Sequence, residues 1–143
     1  AVLGSAQQGP SAVAPVVQRV LVVDDDDFNL MVMESHLPQP PLQVRTAANG
    51  RLALAAAVQE RPDLIIMDIE MPVMGGEEAM RAIREHQAAT GQAPSQIVAY
   101  SGSDDPEIVA CLLASGFDHF LKKPATEQDV LQLLSIQPVA VGA

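Results

Sequence analysis

The chain is poor in cysteine, aromatic residues and long apolar runs. Its 143 residues include one cysteine, Cys111, so no intramolecular disulfide can form, which is typical of a reducing compartment such as the cytoplasm. Aromatic residues make up 3% of the chain and hydrophobic residues 48%, so any core consists mainly of aliphatic side chains and methionine. No apolar run reaches the roughly 18 residues of a transmembrane helix. We therefore expect a cytoplasmic globular domain.

Positive charge is also scarce. The chain has 8 Lys and Arg residues against 18 Asp and Glu residues, which gives a net charge of −10. Proteins that bind nucleic acids use basic surfaces to contact the phosphates, and anionic membranes attract basic segments in the same way. We therefore expect that this segment binds neither nucleic acid nor a membrane surface.

The composition divides the chain into three parts. Residues 1–17 are small, polar or apolar and carry no charge, which predicts a linker, and residues 137–143 predict a similar tail. Residues 18–136 carry a continuous apolar pattern and predict one domain. Because the chain begins with Ala1 rather than Met, we expect it to be one module of a longer protein.

Short apolar runs alternate with helical patterns through the predicted domain. Continuous runs of this kind are typical of strands that are buried on both faces of a parallel sheet. The predicted strands cover residues 20–23, 42–47, 64–67, 96–100 and 119–122. The predicted helices cover residues 28–37, 50–60, 77–89, 106–114 and 126–134. This alternation predicts a doubly wound α/β fold, with a parallel sheet between two layers of helices.

Polar residues follow four of the predicted strands at the point where each strand ends. Asp24 and Asp25 follow the first strand, and Asp68 follows the third. Ser101 follows the fourth strand and Lys123 the fifth. Ligands of doubly wound folds bind beyond the carboxyl ends of the strands, so we expect these five side chains to share one site.

This set of side chains suits phosphoryl chemistry. Carboxylates are ligands that Mg²⁺ prefers, and a carboxylate can also attack phosphorus. Asp68 is the best candidate for the nucleophile because it follows the central buried strand. Lys123 offers a positive charge and Ser101 a hydroxyl to phosphoryl oxygens.

The alternative interpretation of the acidic stretch is a solvated turn. Residues 24–27 are four consecutive aspartates, and one pair at ~4 Å costs about 4 kcal/mol at an effective dielectric of ~20. Either water or a metal ion can relieve that repulsion. Asp27 suits the cap or the first turn of the helix that follows. The turn interpretation therefore holds for Asp27 whether water or a metal ion relieves the repulsion.

At these residues the chain resembles the receiver domains of two-component response regulators, the CheY-like family. The resemblance covers about residues 19–136 and includes "MDIEMPVMGG" around Asp68, "YSG" at residues 100–102 and "KKP" at residues 122–124. It implies a flavodoxin-like (βα)5 fold with a five-stranded parallel sheet of order 2-1-3-4-5. It also implies that the isolated chain is a phosphoacceptor in a phosphorelay rather than an enzyme that turns over.

The resemblance further implies a role for each residue of the site. Asp68 becomes the phosphorylated residue, and Asp24 and Asp25 become the acidic pair. These three carboxylates and the backbone carbonyl of Glu70 are then the ligands of Mg²⁺, with Mn²⁺ as an alternative ion. Lys123 becomes the lysine of the site, followed by a cis bond to proline.

Two further residues match the conformational switch of the family. Ser101 takes the position of the switch hydroxyl and Phe120 that of the switch aromatic residue, and the two are expected to move together when the phosphoryl group arrives. The alternative for Phe120 is a core residue that never moves.

The resemblance also implies a partner that carries a phosphohistidine, which is a histidine kinase or a histidine phosphotransfer domain. The leading hypothesis is the receiver module of a hybrid sensor histidine kinase, whose other parts could include a membrane-bound sensor. In the first predicted helix, Val32, Met33 and Leu37 are assigned to the buried face. Leu30 and Met31 then lie partly outward and form a hypothetical docking surface.

Three other functional classes compete with a phosphoacceptor. A receiver-like interaction module that takes no phosphoryl group remains an alternative. A phosphatase with an aspartate nucleophile also remains, although its motif requires a second Asp where this chain has Glu70. A calcium-binding loop fails on spacing, because Asn29 stands where Gly is required and Ser35 where Glu is required.

Overall fold

The computed structural model describes residues 19–71 and 73–135, so the predicted linker at 1–17 and the predicted tail at 137–143 lie outside the described residues. The strands are β1 (Arg19–Val23), β2 (Gln43–Ala47), β3 (Leu64–Asp68), β4 (Gln96–Ser101) and β5 (His119–Lys122). The helices are α1 (Asp27–His36), α2 (Gly50–Gln59), α3 (Gly76–Thr90), α4 (Pro106–Ser115) and α5 (Glu127–Ser135). All ten elements follow the predicted alternation.

The strands form one parallel sheet in the order β2-β1-β3-β4-β5, which confirms the predicted doubly wound topology of order 2-1-3-4-5. The central strand β3 is buried along its whole length, as its apolar run predicts. The edge strand β2 alternates and is buried only in part. Continuous apolar residues in β3 and alternating ones in β2 therefore distinguish the central strand of the sheet from its edge strand.

The core lies in two layers, one on each face of the sheet. Val20, Val22 and Ile66 face one layer, which α1 and α5 cover. Leu21 and Ile65 face the other, which α2, α3 and α4 cover. Each fully buried aliphatic side chain contributes about 1.5–3 kcal/mol relative to an exposed one, so the two layers hold the strand ends in a fixed arrangement. No helix among the described residues is long and apolar enough to cross a bilayer.

Helix caps shape the loops at the carboxyl edge of the sheet. Asp26 is the N-cap of α1, because its side chain accepts a hydrogen bond from the Phe28 amide at 2.8 Å. Asp27 lies in the first turn, where a negative charge interacts favourably with the helix dipole. The capping interpretation of the acidic run is therefore confirmed for this half of it.

The loop after β3 is held in place by a close approach of backbone to backbone. The Gly76 amide donates to the carbonyl of Ile69 at 3.0 Å. A Cβ atom on Gly76 would collide with the carbonyl oxygen of Asp68, so only glycine fits there without a shift of the backbone. The loop is thus tied to the end of the strand that carries Asp68.

The peptide bond between Lys123 and Pro124 is cis, as predicted.

The predicted exposure of Leu30 is wrong. Leu30 is only 8% exposed and packs in the core layer under α1, together with Met33 and Leu37. These residues follow one another at spacings of three and four, which places them on one face of the helix. Met31 is 58% exposed, as predicted, and Phe28 is exposed as well.

Candidate functional site

Three aspartates meet at the carboxyl edge of the sheet. Asp24 follows β1, and Asp68 is the last residue of the neighbouring strand β3. Carboxylate oxygens of Asp24, Asp25 and Asp68 all lie within 4.8 Å of one another. Asp24 and Asp68 are buried, whereas Asp25 is exposed. The cluster opens into a cleft of about 660 Å³, lined by Asp24, Asp25, Asp26, Asp27, Asn29, Asp68, Glu70, Ser101, Gly102 and Lys123.

Backbone contacts fix the position of Asp24. Its own amide donates to the carbonyl of Ala47 at 3.1 Å, which ties the end of β1 to the end of β2. Its Oδ1 accepts a hydrogen bond from the amide of Asp26 at 2.9 Å. The turn into α1 therefore both caps the helix and orients the carboxylate of Asp24 toward the cleft.

Lys123 bridges the two buried carboxylates. Its Nζ lies 3.0 Å from Asp68 Oδ1 and 3.1 Å from Asp24 Oδ2. Its amide donates to the carbonyl of Ser101 at 2.8 Å, so the end of β4 positions the start of the loop that carries it. The Lys123 ammonium therefore balances only one of the two buried carboxylates, Asp24 and Asp68. The exposed Asp25 adds another negative charge to the cluster.

The electrostatics of the site shift two pKa values. Burial raises the pKa of Asp68, and the negative charge of Asp24 adds to the rise, while Lys123 and the Glu70 amide oppose it. Burial alone would lower the pKa of Lys123, but its close contacts with the carboxylates of Asp68 and Asp24 together outweigh burial, and the pKa of Lys123 is raised. Lys123 is therefore firmly charged, and the carboxylates still carry uncompensated negative charge.

The arrangement fits a divalent cation with oxygen ligands. Asp24 Oδ2 is buried and accepts no well-aligned hydrogen bond, since its contact with Lys123 has the distance of an ion pair but poor alignment. A buried carboxylate oxygen in this state is a ready ligand for a hard cation. Glu70 borders the same cleft, and its amide donates to Asp68 Oδ1 at 3.3 Å. The role of its carbonyl as a metal ligand stays a prediction.

Ser101 lies at the end of β4, beside the carboxylates. It is 9% exposed, borders the cleft, and its Oγ accepts a hydrogen bond from the amide of Ser103 at 3.2 Å. Phe120 lies on the neighbouring strand β5, half-buried against the core layer of α2, α3 and α4. The structure thus places Ser101 in the site and Phe120 on the neighbouring strand, where Phe120 pairs with Ala99 and Ser101 pairs with Lys122. The joint movement of Ser101 and Phe120 stays a prediction.

Sequence reasoning missed Tyr100, the residue before Ser101. The Lys123 ammonium lies over its ring, 5.1 Å from the centroid. Burial raises the pKa of Tyr100. A signal was present, because Tyr100 is the single tyrosine and stands next to a predicted site residue. Its contact with Lys123, however, depends on the pairing of β4 with β5 and on the path of the loop beyond β5.

Comparisons with known proteins agree with this geometry. The family model of the response regulator receiver domain matches residues 20–135. A sensor protein of Pseudomonas syringae pv. syringae, GacS, is 36% identical over 116 residues, which are 81% of this chain and 13% of that protein. The chain therefore spans a small part of the length of this relative.

Two solved structures are similar to the whole described fold. One is the receiver domain of Ssk1 from Saccharomyces cerevisiae, crystallised with the histidine phosphotransfer protein Ypd1, with TM-score 0.78 and 29% identity over 87% of this chain and 90% of that one. The other is the CheX–CheY–BeF3–Mg²⁺ complex from Borrelia burgdorferi, with TM-score 0.74 and 25% identity over 83% and 88% of the two chains.

Proposed function

Because the chain belongs to the response regulator receiver domain family, we propose that Asp68 is the residue that accepts the phosphoryl group. The observation that carries this proposal is the arrangement of Asp68 itself, a buried carboxylate at the end of the central strand that contacts Lys123 and faces an open acidic cleft. A buried nucleophile with a charged lysine beside it and room for a donor is what transfer to a carboxylate requires.

The proposed reaction transfers a phosphoryl group from a histidine nitrogen of the donor to a carboxylate oxygen of Asp68. A carboxylate oxygen of Asp68 attacks the phosphorus atom of a phosphohistidine, and a P–O bond forms. The P–N bond breaks, and its electron pair stays on the imidazole nitrogen, which takes up a proton. The described contacts of the carboxylate, from Lys123 and the Glu70 amide, are both to Oδ1, so we assign the attack to Oδ2.

The residues around Asp68 divide the remaining tasks. Lys123 offers an ammonium to a phosphoryl oxygen, and the hydroxyl of Ser101, which also borders the cleft, donates to another. Asp24, Asp25 and Asp68, with the Glu70 carbonyl, are the proposed ligands of Mg²⁺, or of Mn²⁺ in its place. When bound, that ion supplies positive charge that offsets the charge of the phosphoryl group. The similarity to a receiver captured with Mg²⁺ and BeF3 supports this choice of ion.

Phosphorylation is proposed to act through the sheet edge beside the site. We propose that movement of the Ser101 hydroxyl toward the phosphoryl group frees space between β4 and the layer of helices, and that the half-buried Phe120 on the neighbouring strand β5 moves to fill it. Ser101 and Phe120 thus form the proposed switch, and the two conformations differ in the surface they present to partners.

The proposed donor is a histidine kinase or a histidine phosphotransfer domain, encountered in the cytoplasm. Similarity to GacS and to a receiver crystallised with a phosphotransfer protein supports this choice, and a hybrid sensor histidine kinase is the proposed parent protein. Phe28 and Met31 are exposed and lie three residues apart on α1, next to the cleft. We assign the docking surface to these two residues in place of the buried Leu30.

Mass spectrometry after treatment with a small phosphoryl donor tests the phosphoacceptor. Acetyl phosphate with Mg²⁺ is expected to add one phosphoryl group per chain, and the adduct should be labile to hydroxylamine, as an acyl phosphate is. Reduction with borohydride followed by peptide mapping should place the label on Asp68. Chelation of Mg²⁺ is the control. A chain that stays unmodified, under conditions in which other receivers react, would support the alternative of an interaction module.

Replacing Met31 with Asp tests the docking surface. The change puts a charge on an exposed apolar position, so it should slow transfer from a phosphohistidine donor about 5- to 30-fold, the size of a typical interface contact. Transfer from acetyl phosphate should stay unchanged, because a small donor needs no docking. Val58→Asp, at an exposed apolar position on α2, is the matched control. Equal rates for wild type and Met31→Asp with the protein donor would contradict the assignment.

A further inference from the structure

Tyr100 lies between the strand of the phosphoacceptor and the strand that leads to Lys123. Within the sheet it pairs with Asp68 on β3 and with Leu121 on β5. Tyr100 as a whole is 7% exposed, and it belongs to the core layer of α1 and α5. The ring is therefore held rigidly, and it lies at the end of the sheet where the site begins.

The ring of Tyr100 and its hydroxyl contact the same short segment. The Lys123 ammonium lies over the ring face, 5.1 Å from its centroid. The hydroxyl oxygen accepts a hydrogen bond from the amide of Ala125 at 3.4 Å in a buried environment. One side chain thus contacts both the charged end of Lys123 and the backbone two residues beyond it.

Lys123 depends on such support because its side chain is long and only partly covered. Its side chain is 24% exposed, whereas those of its partners Asp24 and Asp68 are 2% and 4% exposed. A lysine loses much rotamer freedom when it is held in one geometry, and a compact ammonium can move from one carboxylate to another in an acidic cleft. Asp25 and Glu70 border the same cleft and offer such alternatives. The negative face of an aromatic ring attracts the ammonium and favours one position.

We propose that Tyr100 is a positioning residue for Lys123: its ring holds the ammonium between Asp24 and Asp68, where it meets the incoming phosphoryl group. The hydroxyl contributes by fixing the loop through Ala125, and the ring is the part that acts on the charge. The consequence for rate rests on the proposed role of Lys123 in phosphoryl transfer, whereas the consequence for the position of Lys123 does not.

Two substitutions separate the ring from the hydroxyl. Tyr100→Phe keeps the aromatic face and removes the hydrogen bond to Ala125, and Tyr100→Leu removes the face and keeps apolar bulk. Val130→Ala removes packing from the same core layer on α5 without touching Lys123, so it serves as the control for lost stability.

Proton NMR reports the position of Lys123 directly. Protons above an aromatic face resonate upfield, and the chain has only two lysines, so the exposed Lys122 is an internal reference. The ε-methylene and ammonium resonances of Lys123 are expected upfield of those of Lys122 in wild type and Tyr100→Phe. In Tyr100→Leu the difference should disappear.

The rate of phosphorylation by acetyl phosphate and Mg²⁺ is the second measurement. Tyr100→Leu should slow it about 3- to 30-fold, the range of a partly desolvated cation–π contact, while Tyr100→Phe and Val130→Ala stay close to wild type. Two results would overturn the proposal: a loss in Val130→Ala as large as in Tyr100→Leu, or a loss in Tyr100→Phe as large as in Tyr100→Leu. The first assigns the effect to packing and the second to the hydroxyl.

Failure of the proposed function would show up separately. If wild type accepted no phosphoryl group, the assignment of Asp68 would fall, yet the Lys123 resonances would still decide whether the ring positions the ammonium. Unshifted Lys123 protons in a folded wild type would overturn the positioning role even if phosphorylation proceeded normally.

Discussion

Replacing Asp68 with asparagine is expected to abolish phosphorylation, with the rate falling at least about 100-fold. The amide has nearly the same shape as the carboxylate but is a poor nucleophile, and it also removes one of the three carboxylates that face the cleft. The loss should appear with acetyl phosphate and with a phosphohistidine donor alike, because both use the same nucleophile. Intact-mass measurement over time gives the rates.

Asp27→Asn is the matched control for this loss. Asp27 borders the same cleft and loses the same charge, but it lies in the first turn of α1 outside the cluster of three carboxylates. We expect its rate to stay within about 3-fold of wild type, since a nearby exposed charge is largely screened. Phosphorylation of Asp68→Asn at the wild-type rate would remove Asp68 from its proposed role.

A stability measurement separates a chemical loss in Asp68→Asn from a failure to fold. Burial raises the pKa of Asp68, so the folded protein binds the proton more tightly than the unfolded one. Wild-type stability therefore falls as the pH rises through that pKa. Above it, Asp68 is ionised and its buried charge destabilises the folded protein in full. Without divalent cation at pH 7, the variant should be more stable than wild type, and the gain should shrink in acid. Urea denaturation followed by circular dichroism measures both effects.

Local patterns in the sequence predicted the fold closely because they arise from burial alone. A strand such as β3 is apolar at nearly every position, since helices cover both of its faces, and such a run has few other interpretations. The strand ends were less well predicted. Backbone pairing continues one residue further, through Asp68 with Tyr100 and Ser101 with Lys122, so two site residues are the last residues of strands.

The face of α1 could not be predicted from periodicity. The helix and its cap contain apolar residues at 28, 30, 31, 32, 33 and 37, which is more than one buried face accommodates. Several phases of the helix therefore fit the pattern equally well, and packing against α5 and the sheet selects Leu30. Tyr100 was missed for a different reason: its contact with Lys123 joins neighbouring strands through a loop, and no local pattern encodes it.

Replacing Asp24 with asparagine is expected to weaken Mg²⁺ binding at least about 10-fold. Asp24 contributes a buried carboxylate whose Oδ2 lacks a well-aligned hydrogen bond, and an amide oxygen there carries no charge to attract the ion. The Asp26 amide can still donate to the side-chain oxygen of asparagine, so the turn into α1 should survive. Isothermal titration calorimetry with Mg²⁺ measures the affinity, and Asp27→Asn, outside the carboxylate cluster, should bind as wild type does.

The pH dependence of Mg²⁺ binding identifies which carboxylate limits it. A proton competes with the metal for each ligand, and the pKa of Asp68 is raised above its usual range by burial and by the charge of Asp24. Wild-type affinity should therefore begin to fall at a higher pH than ordinary carboxylates would allow. In Asp24→Asn the neighbouring charge is gone, so the pKa of Asp68 should be lower and the fall should begin at a more acid pH. An unchanged midpoint in the variant would mean that the two carboxylates do not act on each other through their charges.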